Sequence, residues 1–393
     1  MYYRHPLEIP KSKLFSGFRW IGSRIAIPQQ GIHSDTHPMT WAGDGELYMA
    51  TGDPNFAYFN GIPRHVSWQE AIDNPALYPH MGGVDVERIT GFGDHFGIHQ
   101  INTMPGLIGP GGNGAKPSGM VSVKGSLYLA AQNLLGKKTP PHRPNCQHGS
   151  DATILRSDDF GLTWNPDIQT VLSDMERELY DRSNWMWRNS PEERTGWKGW
   201  RPMFHGFKFG GPSFIQYGCD HANALDNFVY AISGDQWDNG SELRLGRVHQ
   251  DHILEKDAWM WAVLDSSGAV KWITDLEASP PLLTIDGHLG LPEMVYISDI
   301  KRYLLLTWGL HQDFHVQAGS ELTILEAENP WGPFFLVYFE EIWDSIDVCP
   351  YCPRLPLKWF DQNSLTGWLF HSGNWHTVQY YKPHVRKFQL LIG

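Results

Sequence analysis

The sequence is poor in several things, and each shortage excludes a class of protein. Its 393 residues hold only four cysteines, too few to staple a chain of this length into a disulfide scaffold. Positive charge is in deficit: 31 Lys and Arg stand against 43 Asp and Glu, a net charge of −12. The basic surface that phosphate contacts need is missing, which argues against a nucleic-acid partner. No uninterrupted apolar run approaches the roughly 18 residues of a spanning helix, so no integral membrane protein is expected. Met1-Tyr2-Tyr3-Arg4-His5-Pro6 has a basic residue with no apolar stretch behind it, so no signal peptide is expected either. Location stays open between the cytoplasm and, with a signal removed, secretion or the periplasm. There is no Walker loop and no Gly-x-Gly-x-x-Gly after a strand. Gly109-Pro110-Gly111-Gly112-Asn113-Gly114 precedes a strand and lacks a helix dipole for a phosphate.

What is abundant points one way. Hydrophobic residues are 41% and charged residues 19%, ample for a core. With 40 Gly, 27 Pro and 13% aromatics, the chain suits many short strands and turns, with rings left over for flat ligands such as sugars.

A short phrase recurs, a Pro followed by an apolar strand, at Pro38, Pro117, Pro212, Pro292 and Pro356. A second strand follows each, as in Gly45–Asp53, Gly125–Asn133, Asn227–Asp235, Arg302–Gly309 and Thr366–Asn374. Such units are too small to bury both faces alone, but arranged radially they bury one another. The expected fold is therefore all-β: a five-bladed β-propeller forming a single domain over 1–393. Its blades fall at about 30–110, 112–165, 206–265, 288–340 and 354–393, with a Trp-rich insertion at 166–205. Ser157-Asp158-Asp159-Phe160-Gly161-Leu162-Thr163-Trp164 matches the Asp-box pattern, a structural hairpin turn.

In a propeller the inner strand begins and the second strand ends on one face around the axis. Inner-strand starts offer Asp35, His37, Lys116, Glu293 and Lys358; second-strand ends offer Asp53, Asp235, His311 and Asn374. Asp35 and Asp53 belong to one blade on antiparallel neighbours, so their carboxylates fall close together. Two carboxylates about 5 to 5.5 Å apart suit a retaining glycosidase, and at about 6.5 to 9.5 Å an inverting one. Glu293 is the reserve carboxylate. Short polar residues also cap strands and open turns, so structural roles for Asp35 and Asp53 stay open. The carboxylates of Asp44 and Asp299 fall on the opposite face as turn caps.

The run Ser34-Asp35-Thr36-His37-Pro38-Met39-Thr40-Trp41, continuing through Gly45-Glu46-Leu47-Tyr48 to Gly52-Asp53, resembles the opening blade of a family of five-bladed propellers. That family is of the uncharacterised-domain type that includes bacterial endo-D-arabinanases. Lys116-Pro117-Ser118-Gly119, Phe214–Gly218 and Glu326–Pro333 are similar to its later blades, so the likeness runs from about residue 30 to the C-terminus. The resemblance implies carbohydrate cleavage by a pair of aspartates, here Asp35 and Asp53. His37 stands where relatives have an aromatic, which points to a different substrate.

The 19 histidines include His33, His37, His148, His311 and His376 at expected pocket-face positions. With Tyr and cations they are also the equipment of a polysaccharide lyase: Tyr217 or a His as base, and Lys116, Lys358 or Arg354 to neutralise a uronate. Cys349-Pro350-Tyr351-Cys352, with Cys146 and His148, is one set of four zinc ligands; buried free thiols are the alternative. No cofactor or metal is assigned, zinc and calcium included. Three readings stand: a glycoside hydrolase through paired carboxylates, a polysaccharide lyase on a uronate-containing glycan, and a non-catalytic binder using Trp237, Trp308 and Trp375 as platforms. All three make the partner a carbohydrate, and fold does not choose among them.

Overall fold

The computed structural model describes residues 1–26, 34–52, 58–59, 62–63, 84–104, 116–132, 152–165, 203–204, 206–311, 318–375, 377 and 379–393. Strands dominate them, and the helices among the described residues are single 3-10 turns such as Pro6–Glu8 and Cys219–His221. None is long and apolar enough to cross a membrane.

Successive antiparallel sheets follow the chain. The first holds Met39–Trp41, Leu47–Gly52, Val84–Phe92 and His95–Met104. The second holds Lys116–Val123, Ser126–Gln132 and Thr153–Ser157. The third starts with Ser213–Phe214, Phe228–Gly234 and Glu242–His249 and grows to seven strands, the last being Tyr2–Tyr3 laid parallel to Leu283–Ile285. Glu293–Ile297, Arg302–Leu310, Ser320–Ala327 and Phe335–Glu340 make the fourth. The fifth is Tyr351–Arg354, Thr366–Ser372, His384–Ile392 and, from the other end of the chain, Phe15–Ala26.

These strands are buried on both faces because each sheet is sandwiched by its neighbours. In Leu47–Gly52 all six residues are buried. Tyr48 and Ala50 face Met120 and Leu129 of the second sheet, while Leu47 and Met49 face Trp368 and Phe370 of the fifth. That is the period-two alternation of a strand, used twice. The other interfaces follow suit, with Phe214 against Val121, Ile232 against Met294, and Leu306 against Leu369 in shared apolar clusters. Sheets packed face to face around one axis make a β-propeller, and pairing Phe15–Ala26 with His384–Ile392 ties the two ends of the chain into one sheet.

Several expectations need correcting. Five like blades are not what the sheets supply: three have four strands, the second has three among the described residues, and the third has seven. The last sheet begins at Tyr351, upstream of residue 354, and is completed by Phe15–Ala26, which the repeat left outside any blade. The insertion at 166–205 lies outside the described residues apart from Met203 and Phe204, and Phe204 packs edge-on against Phe209 and Trp259.

The turn at 157–164 is knit by its own side chains. Asp159 accepts from the Thr163 amide at 2.9 Å and its hydroxyl at 2.6 Å, and Ser157 Oγ accepts from the Gly161 amide at 2.8 Å. Trp164 packs inward beside Leu155.

Candidate active site

The starts of the inner strands meet at one end of the axis. Asp35 precedes Met39–Trp41 and bridges Gly52, its amide to the Gly52 carbonyl at 2.9 Å and the return bond at 3.0 Å. Lys116, first residue of the second sheet, donates to both Asp35 carboxylate oxygens at 3.1 Å. The Tyr351 hydroxyl, from the fifth sheet, donates to Oδ2 at 3.3 Å. Gly52 is the residue this cluster requires: a Cβ there would stand 2.7 Å from Asp35 Oδ1 and 2.9 Å from Lys116 Cδ.

Asp35 is presented by an unusual turn. Thr36 and His37 have φ of 61° and 40°, a left-handed region that non-glycine residues leave unless something holds them. The hold is His37, fully buried, whose Nε2 pairs with Ser34 Oγ and Nδ1 with Ser372 Oγ, each at 3.0 Å. Burial, aided by the nearby Arg354 charge, pushes His37 well below the usual imidazole range. The neutral ring has one donor and one acceptor nitrogen, which suits it to bridging two serine hydroxyls.

Glu293 opens the fourth inner strand, with Oε2 accepting the Leu355 amide at 2.8 Å. It is 2% exposed, and burial pushes its carboxyl up to about 7 against the opposing pull of Arg354. Arg354 lies between the two carboxyl residues: Nε donates to the Thr36 carbonyl at 3.0 Å and Nη1 to the Pro292 carbonyl at 3.3 Å. Beside them Trp237, Trp308, Tyr351 and Trp375 form an aromatic group with ring centroids 5.3 to 6.3 Å apart. The arrangement joins an ion-paired carboxylate, a carboxyl raised to about 7, a cation and a phenol, the equipment of acid–base chemistry.

Of the residues singled out from sequence, Asp35, Lys116 and Glu293 come to this end of the axis. Asp53 and His148 lie outside the described residues, as do His33, His376 and Cys146. The remaining candidates are engaged by partners of their own. His37 is enclosed by serines and is no rim contact. Asp235 caps a turn, its Oδ1 accepting the amides of Ser241 at 2.8 Å and Glu242 at 3.1 Å. His311 turns outward to the Glu341 carbonyl at the end of the outer strand. Asn374 donates its side-chain amide to the Asp347 carbonyl at 3.1 Å, in the loop before the fifth inner strand. Trp237 and Trp308 are both buried in one apolar core cluster. Lys358 pairs with Glu46 at 2.7 Å, and Glu46 follows the first sheet's hairpin turn at the opposite end. Its misplacement has a simple cause: the fifth inner strand starts after Pro350, not Pro356, so Pro356 was matched to the wrong end of the strand. Tyr217, offered as a lyase base, is buried between the third and fourth sheets with its hydroxyl 3.1 Å from that of Tyr303, and burial drives it well above the usual phenol range.

Tyr351 was missed, although Cys349-Pro350-Tyr351 repeats the same Pro-then-strand signal. Cys349 and Cys352 are buried free thiols pushed up to about 12 by burial, and no group of three or more metal-binding side chains occurs among the described residues.

No protein-family profile and no curated protein matches the chain. Among solved structures, a provisionally named hydrolase from Bacteroides ovatus is similar over 91% of this chain and 86% of that one, at 10% identity and a TM-score of 0.50. A family 117 glycoside hydrolase from Zobellia galactanivorans covers 96% and 91% at 12% identity and 0.47. A GH43_1 enzyme from Xanthomonas citri covers 94% and 90% at 12% identity and 0.46. At these identities the first likeness concerns the fold alone.

Proposed function

We propose that the chain is a glycoside hydrolase acting on a polysaccharide or its oligosaccharides, with Asp35 as the ionised carboxylate of the central site. The observation that carries this reading is the bidentate contact of Lys116 with Asp35 at 3.1 Å, at the axial end where the inner strands begin. An ammonium against both oxygens favours the anion, the form that activates water or attacks an anomeric carbon. Glycoside cleavage also needs an acid to protonate the leaving oxygen. Glu293, raised to about 7 by burial, suits that role, and Asp53 is the second carboxylate on the family resemblance. The same reading takes the successive sheets as five blades and 166–205 as an insertion between the second and third.

A lysine and a tyrosine near a carboxylate also suit a lyase. Here both already bind Asp35, which favours the hydrolase. Reducing-end release across a glycan panel tests the proposal. Asp35→Asn should lower turnover by about 10³-fold or more. Of Asp53→Asn and Glu293→Gln, the variant of the true acid should lose turnover on substrates with poor leaving groups and recover on activated ones. Full activity in Asp35→Asn ends the assignment, and ultraviolet-absorbing unsaturated products would make the chain a lyase.

A further inference from the structure

Arg354 is 1% exposed and sits where the first, fourth and fifth sheets meet, yet two of its hydrogen bonds go to backbone. The carbonyls it holds are those of Thr36, the residue after Asp35, and Pro292, the residue before Glu293. Its chain neighbour Leu355 holds Glu293 directly through Oε2. A guanidinium is a planar fork whose N–H directions are fixed, so two bonds from one fork set the relative placement of the two segments they reach. A lysine reaches only one of the carbonyls at a time and imposes no angle.

We propose that Arg354 is the positioning residue of the central site: a single guanidinium ties the backbone beside Asp35 to the backbone beside Glu293 and so sets the spacing and aim of the two carboxyl groups. The consequence for turnover rests on the hydrolase reading; the mechanical link does not. The Thr36 end needs such a tie, because φ of 61° holds only where the surroundings impose it. The charge has a second effect. The Arg354 charge acts on Glu293 of the fourth sheet, His37 beside the first, and Cys352 on its own strand. Among these it pulls the Glu293 carboxyl down against burial. Arg354 thus tunes the pH at which Glu293 gives up its proton as well as where that proton points.

Arg354→Lys and Arg354→Gln separate the two effects. Both should lower kcat by about 10²-fold with KM nearly unchanged, the result of a displaced carboxyl and not of lost binding. Arg354→Lys should keep the alkaline limb of the pH–rate profile, and Arg354→Gln should move it to higher pH, since burial of Glu293 then acts unopposed. A 13C-glutamate titration by NMR reads the same shift without any turnover, so it decides the charge effect even in a chain that cleaves no glycan. Full kcat in Arg354→Lys, with Asp35→Asn inactive, overturns the positioning role and leaves the hydrolase standing. An unmoved Glu293 titration in Arg354→Gln overturns the tuning. Should both variants fail to fold, a crystal structure of the unaltered protein decides: loss of either the Thr36 or the Pro292 bond overturns the proposal.

Discussion

The two ends of the propeller axis use the same residue types for opposite purposes. At the far end carboxylates serve the backbone. Asp44 accepts the Glu46 amide at 3.0 Å and the Tyr48 hydroxyl at 2.7 Å, while Asp220 accepts the Gly125 amide at 3.0 Å and the Ser122 hydroxyl at 2.7 Å. At the other end Asp35 accepts from a lysine and a phenol, with its carboxylate 8% exposed, and Glu293 is buried with an elevated pKa. These caps are satisfied by neutral amides and hydroxyls, with no ion pair among the described residues. A buried carboxylate ion-paired across sheets costs desolvation that a solvated cap does not. On the hydrolase proposal, cross-sheet ion pairing sets Asp35 apart from these turn-capping aspartates.

The largest break in this comparison comes from Asp35. Asp35→Asn removes the carboxylate that the buried Lys116 ammonium holds by both oxygens, so beyond the loss of turnover it should cost about 3 kcal/mol of stability. That exceeds the 1 kcal/mol or so of a typical surface change, because the ion pair is 5% and 8% exposed on its two side chains. The double variant Asp35→Asn with Lys116→Met removes both charges and should recover most of the stability while staying inactive. Urea unfolding of the single and double variants measures this, and additive losses would show that the two charges are not coupled.

Much of this contrast is legible in the sequence. The Pro-then-strand repeat puts Asp35, Lys116 and Glu293 at strand starts, and alternation within Leu47–Gly52 sends its residues to two neighbouring sheets. What local pattern does not carry is register across the chain ends. Phe15–Ala26 closes the last sheet through a pairing with residues near 390, a contact that no periodicity announces. Lys358 went to the wrong end because two prolines, Pro350 and Pro356, fit the repeat and only pairing with Ser372 tells which opens the strand. Arg354 could be named as a cation from sequence. That it binds the carbonyls beside both carboxyl residues depends on three sheets meeting.

Glu293 sharpens the comparison through pH. Its folded pKa of about 7 stands above the ordinary 4.5, so its protonated burial stabilises fully below about pH 4.5 and that contribution is lost as pH rises through 7. The whole window is worth about 3 kcal/mol. Glu293→Gln cannot lose it, so its stability relative to the unaltered protein should improve steadily from pH 5 to pH 8. Asp85 and Glu87, which burial also raises, have the same sign but cancel in that difference. A gap that does not move with pH would mean that Glu293 is ionised throughout.

At the far end the effects should be smaller and confined to stability. Asp220 sits at φ 48° and caps the turn at Gly125, so Asp220→Ala loses the cap and strains the backbone, for about 2 kcal/mol. Asp220→Asn tolerates that conformation and should cost clearly less. Neither should change turnover, and a fall in kcat with either would break the separation of the two ends.

The smallest effect belongs to Lys358, the cation that shares Lys116's chemistry and not its place. Its pair with Glu46 is 20% and 33% exposed, so water screens the attraction and little desolvation was spent in forming it. Lys358→Met should change stability by no more than about 1 kcal/mol, less in high salt, and leave turnover intact. Lys116→Met, by contrast, removes the cation from a buried ion pair and should cost several times more, nearly independent of salt. The two lysines contrast in burial and in which end of the axis they occupy. Parallel unfolding and activity measurements on the two variants at low and high salt read that difference. Equal losses would mean that the ends of the axis are electrostatically alike, and Asp35 would keep no claim to being the reactive one.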